Sequence, residues 1–261
     1  MARILTYNVH RWMGTDRQIS PLRVADVIAS CEPDVVALQE VRVGRTRPGS
    51  VDQAALVATR LGMELHFQPT IRVFGEQFGI AVLTRLPSRL VHSARLPSLS
   101  GEPSFEKRSA LWVSVNVGDT ELQVVNAHLS LRSRDRLTQA EALVGPEWLG
   151  HPDCRRPAVL MGDFNAPPQS RAYRIFASRL VDTQKRNPAG EPEATFHTRA
   201  PVLRLDHVFV TEGVRVVSAA PVRNKLTKIA SDHFPLLAEL HFTASPAARA
   251  GAHPPEARVS I

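Results

Sequence analysis

The segment that most restricts the fold of this chain is Ala158-Val159-Leu160-Met161-Gly162-Asp163-Phe164-Asn165. Its four leading apolar residues predict a short buried strand, and that strand delivers an Asp and an Asn, one residue apart, to its C-terminal end. Catalytic side chains commonly lie at such strand ends. The segment therefore predicts an edge of a sheet at which chemistry takes place.

Two other segments repeat this design. Residues 34–40 read Asp-Val-Val-Ala-Leu-Gln-Glu and predict a buried strand that ends on the carboxylate of Glu40. Residues 229–236 place Asp232 and His233 at the opening of the last predicted strand. Three acidic strand ends indicate a single acidic site.

Polar residues in three further strings complete the set: Asn8 after an apolar strand, His128 in Asn-Ala-His-Leu, and Asp206 in Leu-Asp-His-Val. Any one string arises easily by chance, but the whole ordered series is specific. It resembles the endonuclease/exonuclease/phosphatase superfamily of divalent-metal phosphoesterases over residues 3–242. The series is Asn8, Glu40, His128, Asp163 with Asn165, Asp206, and Asp232 with His233.

The length of 261 residues and a hydrophobic content of 43% predict one domain, residues 1–243, followed by a disordered tail at 244–261 that is rich in Pro and Ala. The sequence has no apolar run long enough to cross a bilayer and no export signal ahead of the first strand, so we expect a soluble, cytoplasmic monomer. Its two cysteines fit neither a disulfide framework nor a zinc site. Cys31 is interpreted as a small core residue.

The net charge of +7 predicts a surface that attracts polyanions such as nucleic acid, or anionic membranes. Most of the positive charge is arginine, which can equally reflect a biased genome composition. No segment indicates a protein partner. The expected partner is a phosphoester substrate.

The pattern of elements is a mixture of helices and consecutive strands, which by itself indicates an α/β or α+β fold. Helices are predicted after Ser20-Pro21 and over residues 51–61, 134–148 and 171–177. Strands dominate the middle of the chain. The resemblance implies a four-layer α/β/β/α sandwich of two mainly antiparallel sheets flanked by helices.

A metal site is predicted from hard oxygen donors. Glu40 is the first ligand, Asn8 lies beside it, and Asp232 is a second ligand or a contact through water. Oxygen donors with few imidazoles or thiolates favour Mg²⁺, with Mn²⁺ as the alternative. The alternative reading of Glu40 is a solvated residue at a strand end.

The resemblance implies that Asp163 orients or deprotonates the attacking water and that Asn165 contacts the phosphate. A capped turn is the alternative reading of these two residues. We expect His233 to lie against the phosphate with its other nitrogen bonded to Asp206, and to act either electrostatically or as a general base.

Two further residues are predicted to contact the phosphate. His128 is expected to donate to a non-bridging oxygen, with a structural histidine as the alternative. Arg108 could clamp the phosphate, although an exposed arginine at a strand start fits equally well. A weaker group could line the cleft: His10, Trp12, His207 and the arginines at positions 42, 45, 47, 132, 134 and 136.

The predicted function is a Mg²⁺- or Mn²⁺-dependent hydrolase of phosphate esters, with a phosphodiester or nucleic acid preferred. A phospholipid phosphodiesterase of the sphingomyelinase type, a small-molecule phosphatase and a catalytically silent phosphate-binding module are the alternatives. His10 and His128 depart from the acidic residue and the phenol that apurinic endonucleases carry there. Leu203-Arg204-Leu205-Asp206 departs from the Trp-Cys-Asp-Arg string of inositol-polyphosphate phosphatases.

Overall fold

The computed structural model describes residues 1–44, 51–99 and 107–242. These residues form twelve strands, five α-helices and a short 3₁₀ element at His10–Trp12. The strands are β1 Ala2–Asn8, β2 Val35–Val43, β3 Glu64–Val73, β4 Glu76–Thr84, β5 Ser88–Arg95, β6 Ser109–Val117, β7 Thr120–His128, β8 Ala158–Asp163, β9 Val181–Asp182, β10 Asp206–Val210, β11 Val214–Pro221 and β12 Leu236–Phe242. The helices are α1 Pro21–Cys31, α2 Gln53–Leu61, α3 Ser133–Leu143, α4 Arg171–Ala177 and α5 Lys225–Ala230.

The strands form two six-stranded sheets with the same pairing plan. The first sheet has the order β11-β12-β1-β2-β4-β3, and the second has the order β5-β6-β7-β8-β10-β9. The central pair of each sheet is parallel, β1 with β2 and β7 with β8, and the flanking pairs are antiparallel. Parallel neighbours end at the same edge of a sheet, so within each sheet the central pair delivers its C-terminal residues to one edge.

The two sheets pack face to face. Their inner faces share one apolar cluster, to which Val35 and Ile80 contribute from the first sheet and Val113 and Met161 from the second. A second cluster joins the first sheet to α1 and α2, and a third joins the second sheet to α3 and α4. Each fully buried aliphatic side chain contributes about 1.5–3 kcal/mol to this packing. The predicted four-layer sandwich is confirmed.

Local signals account for the first two helices. The Ser20 hydroxyl accepts from the backbone N–H of Arg23 at 3.3 Å, and proline occupies the first position of α1. The Asp52 carboxylate caps α2 in the same way, and Gly62 ends this helix in the left-handed conformation at φ 63°. Cys31 is the last residue of α1 and is buried in the second cluster, which confirms its interpretation as a core residue.

Two helices differ from the predicted elements. The helix predicted over residues 134–148 ends at Leu143, because Val144 is followed by successive turns around Gly145 and Gly150. Trp148 still packs in the third cluster from this turn region. Helix α5 was not predicted, since its six residues are too few to show an apolar period.

The predicted tail at 244–261 lies outside the described residues, as do Arg45 and Arg47. Across residues 1–44, 51–99 and 107–242, no helix combines the length and apolar character needed to span a bilayer.

Candidate active site

The site forms where four strands meet at one edge of the sandwich. Asn8 ends β1, His128 ends β7, and Asp163 ends β8. Asp163 pairs with His128 in the parallel register and with Asp206, the first residue of β10, in the antiparallel register. Residues far apart in the sequence are therefore neighbours because of strand pairing.

Asp163 is the centre of this arrangement. Its Oδ2 accepts from Asn8 Nδ2 at 2.9 Å, and the Nε2 atoms of His128 and His233 lie 3.6 and 3.7 Å away. Its Oδ1 accepts from the backbone N–H of Asn165 at 2.9 Å. One carboxylate oxygen thus faces nitrogen atoms from three different strands and loops.

The glycine before Asp163 allows β8 to lie close to β7 at the site. Gly162 has φ 147°, and a Cβ atom at this position would lie 1.9 Å from the carbonyl oxygen of Ala127. Asn165 adopts a left-handed conformation at φ 48° and donates from Nδ2 to the carbonyl of Leu129 at 3.0 Å. Asparagine tolerates that backbone conformation better than most residues.

His233 and Asp206 form a buried pair. His233 Nδ1 and Asp206 Oδ2 are 2.8 Å apart, as predicted for the bond that fixes the imidazole tautomer. The Thr195 hydroxyl accepts from the backbone N–H of Asp206 at 3.2 Å, and the ring of Phe196 packs against His233 at 4.7 Å between centroids. Among the described residues, the buried Oδ1 of Asp206 has no hydrogen-bond partner.

The electrostatics of the site separate the two histidines. Burial opposes the charged form of His233, but the carboxylates of Asp206 and Asp163 outweigh it and raise the pKa of His233 to about 10. Burial, together with Arg108 and His233, holds the pKa of His128 well below its ordinary value. At neutral pH His233 is the imidazolium and His128 is the neutral imidazole.

The Asp163 carboxyl is also perturbed. Burial raises its pKa to about 6; the His233 charge opposes that rise and the Asp206 charge adds to it. Asp163 is therefore ionised at neutral pH but holds a more basic carboxylate than an exposed aspartate. This is the property required of a group that accepts a proton from water.

Glu40 lies at a bulge rather than at a strand end. Strand β2 continues to Val43, and its register with β4 shifts between Leu38 and Val41. Glu40 has φ 53° at this bulge, and its Oε1 accepts from Asn8 Nδ2 at 3.2 Å. The prediction that the strand ends on Glu40 is wrong, because the bulge turns the carboxylate to the site while pairing continues.

Asp232 and its neighbours close the site from the last loop. Ser231 Oγ donates to the carbonyl of Asn8 at 2.8 Å and thereby ties this loop to the end of β1. Asp232 Oδ1 lies 3.7 Å from Nδ1 of His10. His10, Arg11 and Trp12 all have positive φ values of 44–66°, an unusual conformation for three successive non-glycine residues. This turn also places Arg11 Nε 3.9 Å from Glu40 Oε2.

Two sets of residues at this site could hold a cation. The potential ligand atoms of Asp163, Asp206 and His233 all lie within 4.8 Å of one another. In that group Asp206 Oδ2 is already bonded to His233 Nδ1, Asp206 Oδ1 is left without a partner among the described residues, and all three side chains are buried. The carboxylates of Glu40 and Asp232 are more open, with 32% and 23% of the side chain exposed, and supply hard oxygen donors that fit Mg²⁺ or Mn²⁺.

Asn8 faces both groups. Its Oδ1 accepts from the backbone N–H of His10 at 3.0 Å, so its Nδ2 points to the two carboxylates. In this arrangement Asn8 orients Glu40 and Asp163 by donation, and its role as a direct metal ligand stays a prediction.

Arg108 immediately precedes β6 and is partly buried. Its Nε donates to the carbonyl of Leu129 at 3.1 Å, and it lines a pocket of about 440 Å³ that also contains Glu40 and His128. The exposed strand-start arginine that the sequence allowed is therefore not what the structure contains.

Several of the weaker candidates do not line the site. Trp12 is buried in the second cluster and donates from its indole to the carbonyl of Arg42 at 2.7 Å. Arg42 itself is paired with Glu76. His207 is fully buried and bonds the carbonyl of Ala166 at 2.9 Å. Trp12 and His207 lie inside the protein, and Arg42 is partly exposed but held by its ion pair.

Sequence reasoning missed Arg11, Thr195, Phe196 and Ser231. Ser231 directly precedes the Asp-His pair, and Arg11 follows Asn8 closely, so proximity in the sequence was a usable signal for these two. Thr195 and Phe196 lie in a segment without apolar period or charge pattern, and only the tertiary fold brings them to Asp206 and His233.

The chain resembles known proteins in sequence and in fold. The chain is 27% identical over 250 residues to the Escherichia coli K12 protein YbhP, covering 92% of this chain and 96% of the relative. The crystal structure of an endonuclease/exonuclease/phosphatase from Beutenbergia cavernae is similar, with a TM-score of 0.75 and 25% identity over 92% of this chain and 71% of that one. The mannosyl-6-phosphatase Bt3783 of Bacteroides thetaiotaomicron has the same fold, with a TM-score of 0.70 and 20% identity over 93% of this chain and 100% of that one. The model of the Endonuclease/Exonuclease/phosphatase family matches residues 5–233, and this chain belongs to that family.

Proposed function

We propose that this protein is a Mg²⁺- or Mn²⁺-dependent hydrolase of phosphodiesters. Members of its family are generally phosphoesterase hydrolases. The observation that carries the proposal is the environment of Asp163, whose Oδ2 lies between the Asn8 amide and the Nε2 atoms of His128 and His233. An ionised carboxylate beside an imidazolium can hold both an attacking water and the phosphate it attacks.

Asp163 orients the attacking water. Its pKa of about 6 leaves it ionised at pH 7 and able to accept the proton that the water loses as the new P–O bond forms. Asn8 donates to its Oδ2 and Asn165 to its Oδ1, so the carboxylate is held in one orientation. A fixed base lowers the entropic cost of in-line attack.

His233 stabilises the charge that develops on the phosphate. With a pKa of about 10 it is protonated at neutral pH, and Asp206 holds its Nδ1–H. The Nε2–H is left to donate to a non-bridging oxygen. We therefore choose the electrostatic role for His233 over the role of general base.

Glu40 and Asp232, with Asn8 beside them, would hold the cation. When bound, a divalent cation neutralises charge on the phosphate oxygens and polarises the scissile bond. His128, Asn165 and Arg108 complete the phosphate contacts from the opposite sheet. Hydrogen bonds and guanidinium charge at these positions orient the phosphate for attack.

The test is hydrolysis of bis-(p-nitrophenyl) phosphate, plasmid DNA and sphingomyelin in parallel, each with Mg²⁺, Mn²⁺ or EDTA. Asp163→Asn keeps the shape of the side chain but removes the proton acceptor. We expect metal-dependent turnover by the natural protein and a loss of about 10²–10⁴-fold in kcat for the variant.

Arg89→Gln is a matched control, since Arg89 is 63% exposed and pairs with Glu121 on the second sheet. This variant should retain full turnover. Equal turnover by Asp163→Asn and the natural protein would refute the assigned role. Phosphate binding without hydrolysis of any ester would instead support the silent binding module.

A further inference from the structure

The pocket beside Glu40 and His128 has an apolar wall that has no role in the hydrolysis of the phosphate ester itself. Its volume is about 440 Å³, within the range of small-molecule sites. Ile71, Val73 and Phe78 form the wall on β3 and β4, with the buried Ile80 behind them. Ile71 and Phe78 are paired across these two strands, so their side chains share one face of the sheet.

This wall extends the interior of the sandwich to its surface. Ile80 belongs to the apolar cluster between the sheets, whereas Ile71, Val73 and Phe78 are each partly exposed. At the floor, the hydroxyls of Thr70 and Ser109 bond each other at 2.8 Å and link the two sheets. The floor hydroxyls thus bond each other, and the wall formed by Ile71, Val73 and Phe78 offers no side-chain hydrogen-bonding group to a ligand.

Cations surround the apolar wall. Arg11, Lys107 and Arg108 line the same pocket, and Lys107 makes no ion pair within the described part of the chain. A guanidinium can stack on the face of an aromatic ring as well as attract a phosphate. The combination suits an anionic ester that carries a flat apolar group.

We propose that this pocket binds an aromatic substituent on the phosphate, the ester group that is not displaced. This inference rests on the proposed function. A phosphate held between Glu40 and His128 would direct one ester oxygen into the pocket, which continues from these two residues. The preferred substrate is therefore a diester with an aryl group on the retained side, and hydroxyl-rich sugar phosphates are poor substrates.

The test compares phenyl, cyclohexyl and methyl p-nitrophenyl phosphates in Mg²⁺. These diesters share the p-nitrophenolate leaving group, so kcat/KM reports mainly on the retained substituent. We expect phenyl to exceed methyl by about 10-fold or more, and to exceed cyclohexyl, which has similar size but is not flat. Equal values for phenyl and methyl, or a preference for cyclohexyl, would overturn the proposal.

Phe78→Ala should remove most of the phenyl preference. Phe74→Ala is the matched control, because Phe74 lies at the turn of the same hairpin, is 90% exposed and does not line the pocket. Val73→Thr puts a hydroxyl on the wall with little change of volume and serves as a second variant if Phe78→Ala fails to fold. Retention of the full preference by both pocket variants would count against the assignment.

A binding measurement separates this inference from the proposed function. In EDTA, the ¹⁹F signal of 4-fluorophenyl phosphate should broaden with the natural protein and Phe74→Ala, and sharpen with Phe78→Ala. Such broadening without hydrolysis of any diester in Mg²⁺ would sustain the pocket and refute the enzyme. Hydrolysis without a preference for the phenyl diester would support the enzyme and refute the pocket assignment.

Discussion

Mild acid should destabilise this fold through one buried imidazole behind the site, that of His207. Its Nε2 donates to the carbonyl of Ala166 at 2.9 Å, and its Nδ1 faces the guanidinium of Arg204 at 3.3 Å. These partners require a neutral ring with the proton on Nε2. Burial, followed by the charge of Arg204, lowers the pKa of His207 from 6.5 to about 4.

The sign of the effect follows from proton binding. Between pH 6.5 and pH 4 the unfolded chain protonates His207, whereas the folded protein keeps it neutral, so the free energy of unfolding falls as the pH falls. The contribution is complete above pH 6.5 and is lost below about pH 4. The separation of these two pKa values corresponds to about 3 kcal/mol.

The assay is urea unfolding at pH values from 4 to 7.5 in EDTA, for the natural protein and His207→Gln. A glutamine side chain can donate to Ala166 and accept from Arg204, but it does not titrate in this range. Loss of the contacts that the His207 ring makes with Phe164 and Phe209 should lower the stability equally at every pH. We expect the pH slope, rather than the absolute stability, to decrease in the variant.

His151→Gln controls for the general effect of removing a histidine, since 40% of the His151 side chain is exposed. The difference in unfolding free energy between the natural protein and His207→Gln isolates the contribution of His207, because Asp163 and His233 titrate in both proteins. A His207→Gln profile parallel to that of the natural protein between pH 4 and 6.5 would refute the account.

Three further predictions concern the site. Asp206→Asn should lower kcat by about 10²–10⁴-fold and lower the pKa of His233 from about 10. The pH dependence of the imidazole NMR signals measures that pKa, and an unchanged His233 titration would contradict the pairing. Glu40→Gln should raise the Mg²⁺ concentration for half-maximal activity by about 10-fold or more, and an unaltered Mg²⁺ titration would exclude Glu40 as a ligand. Gly162→Ala should lower the free energy of unfolding in urea by more than about 2 kcal/mol, because the new Cβ would lie 1.9 Å from the carbonyl oxygen of Ala127. A stability near that of the natural protein would show that β7 and β8 can separate.

A buried hydrogen-bond network behind the site includes His207 and Arg204. Arg204 is ion-paired with Asp182, whose carboxylate also accepts from the Tyr173 hydroxyl at 2.5 Å. Burial opposes ionisation of Asp182, but the guanidinium charge outweighs it, so the pKa of Asp182 is lowered. His207 extends this network to Ala166, next to Asn165. Loss of the network would loosen β10 and the loop that follows β8.

The sequence alone determined the parts of this protein that depend on near neighbours in the chain. The strand that carries Asp163 was predictable because four apolar residues precede a Gly-Asp-Phe-Asn string. Caps at Ser20 and Asp52 and the left-handed Gly62 were predictable because each acts within one helical turn. The family resemblance followed from the order of these short strings, and with it the four layers.

Only the tertiary structure decided which side chains meet and in what state of charge. His207 and Asp206 are neighbours in the sequence, yet one backs the core and the other pairs with His233, because successive strand residues point to opposite faces. The bulge at Glu40 depends on its pairing with β4, and the pocket depends on how β3 and β4 of one sheet meet the start of β6 in the other. Burial and charge separation set the pKa values of the site, and both are properties of three-dimensional neighbours that no local pattern contains.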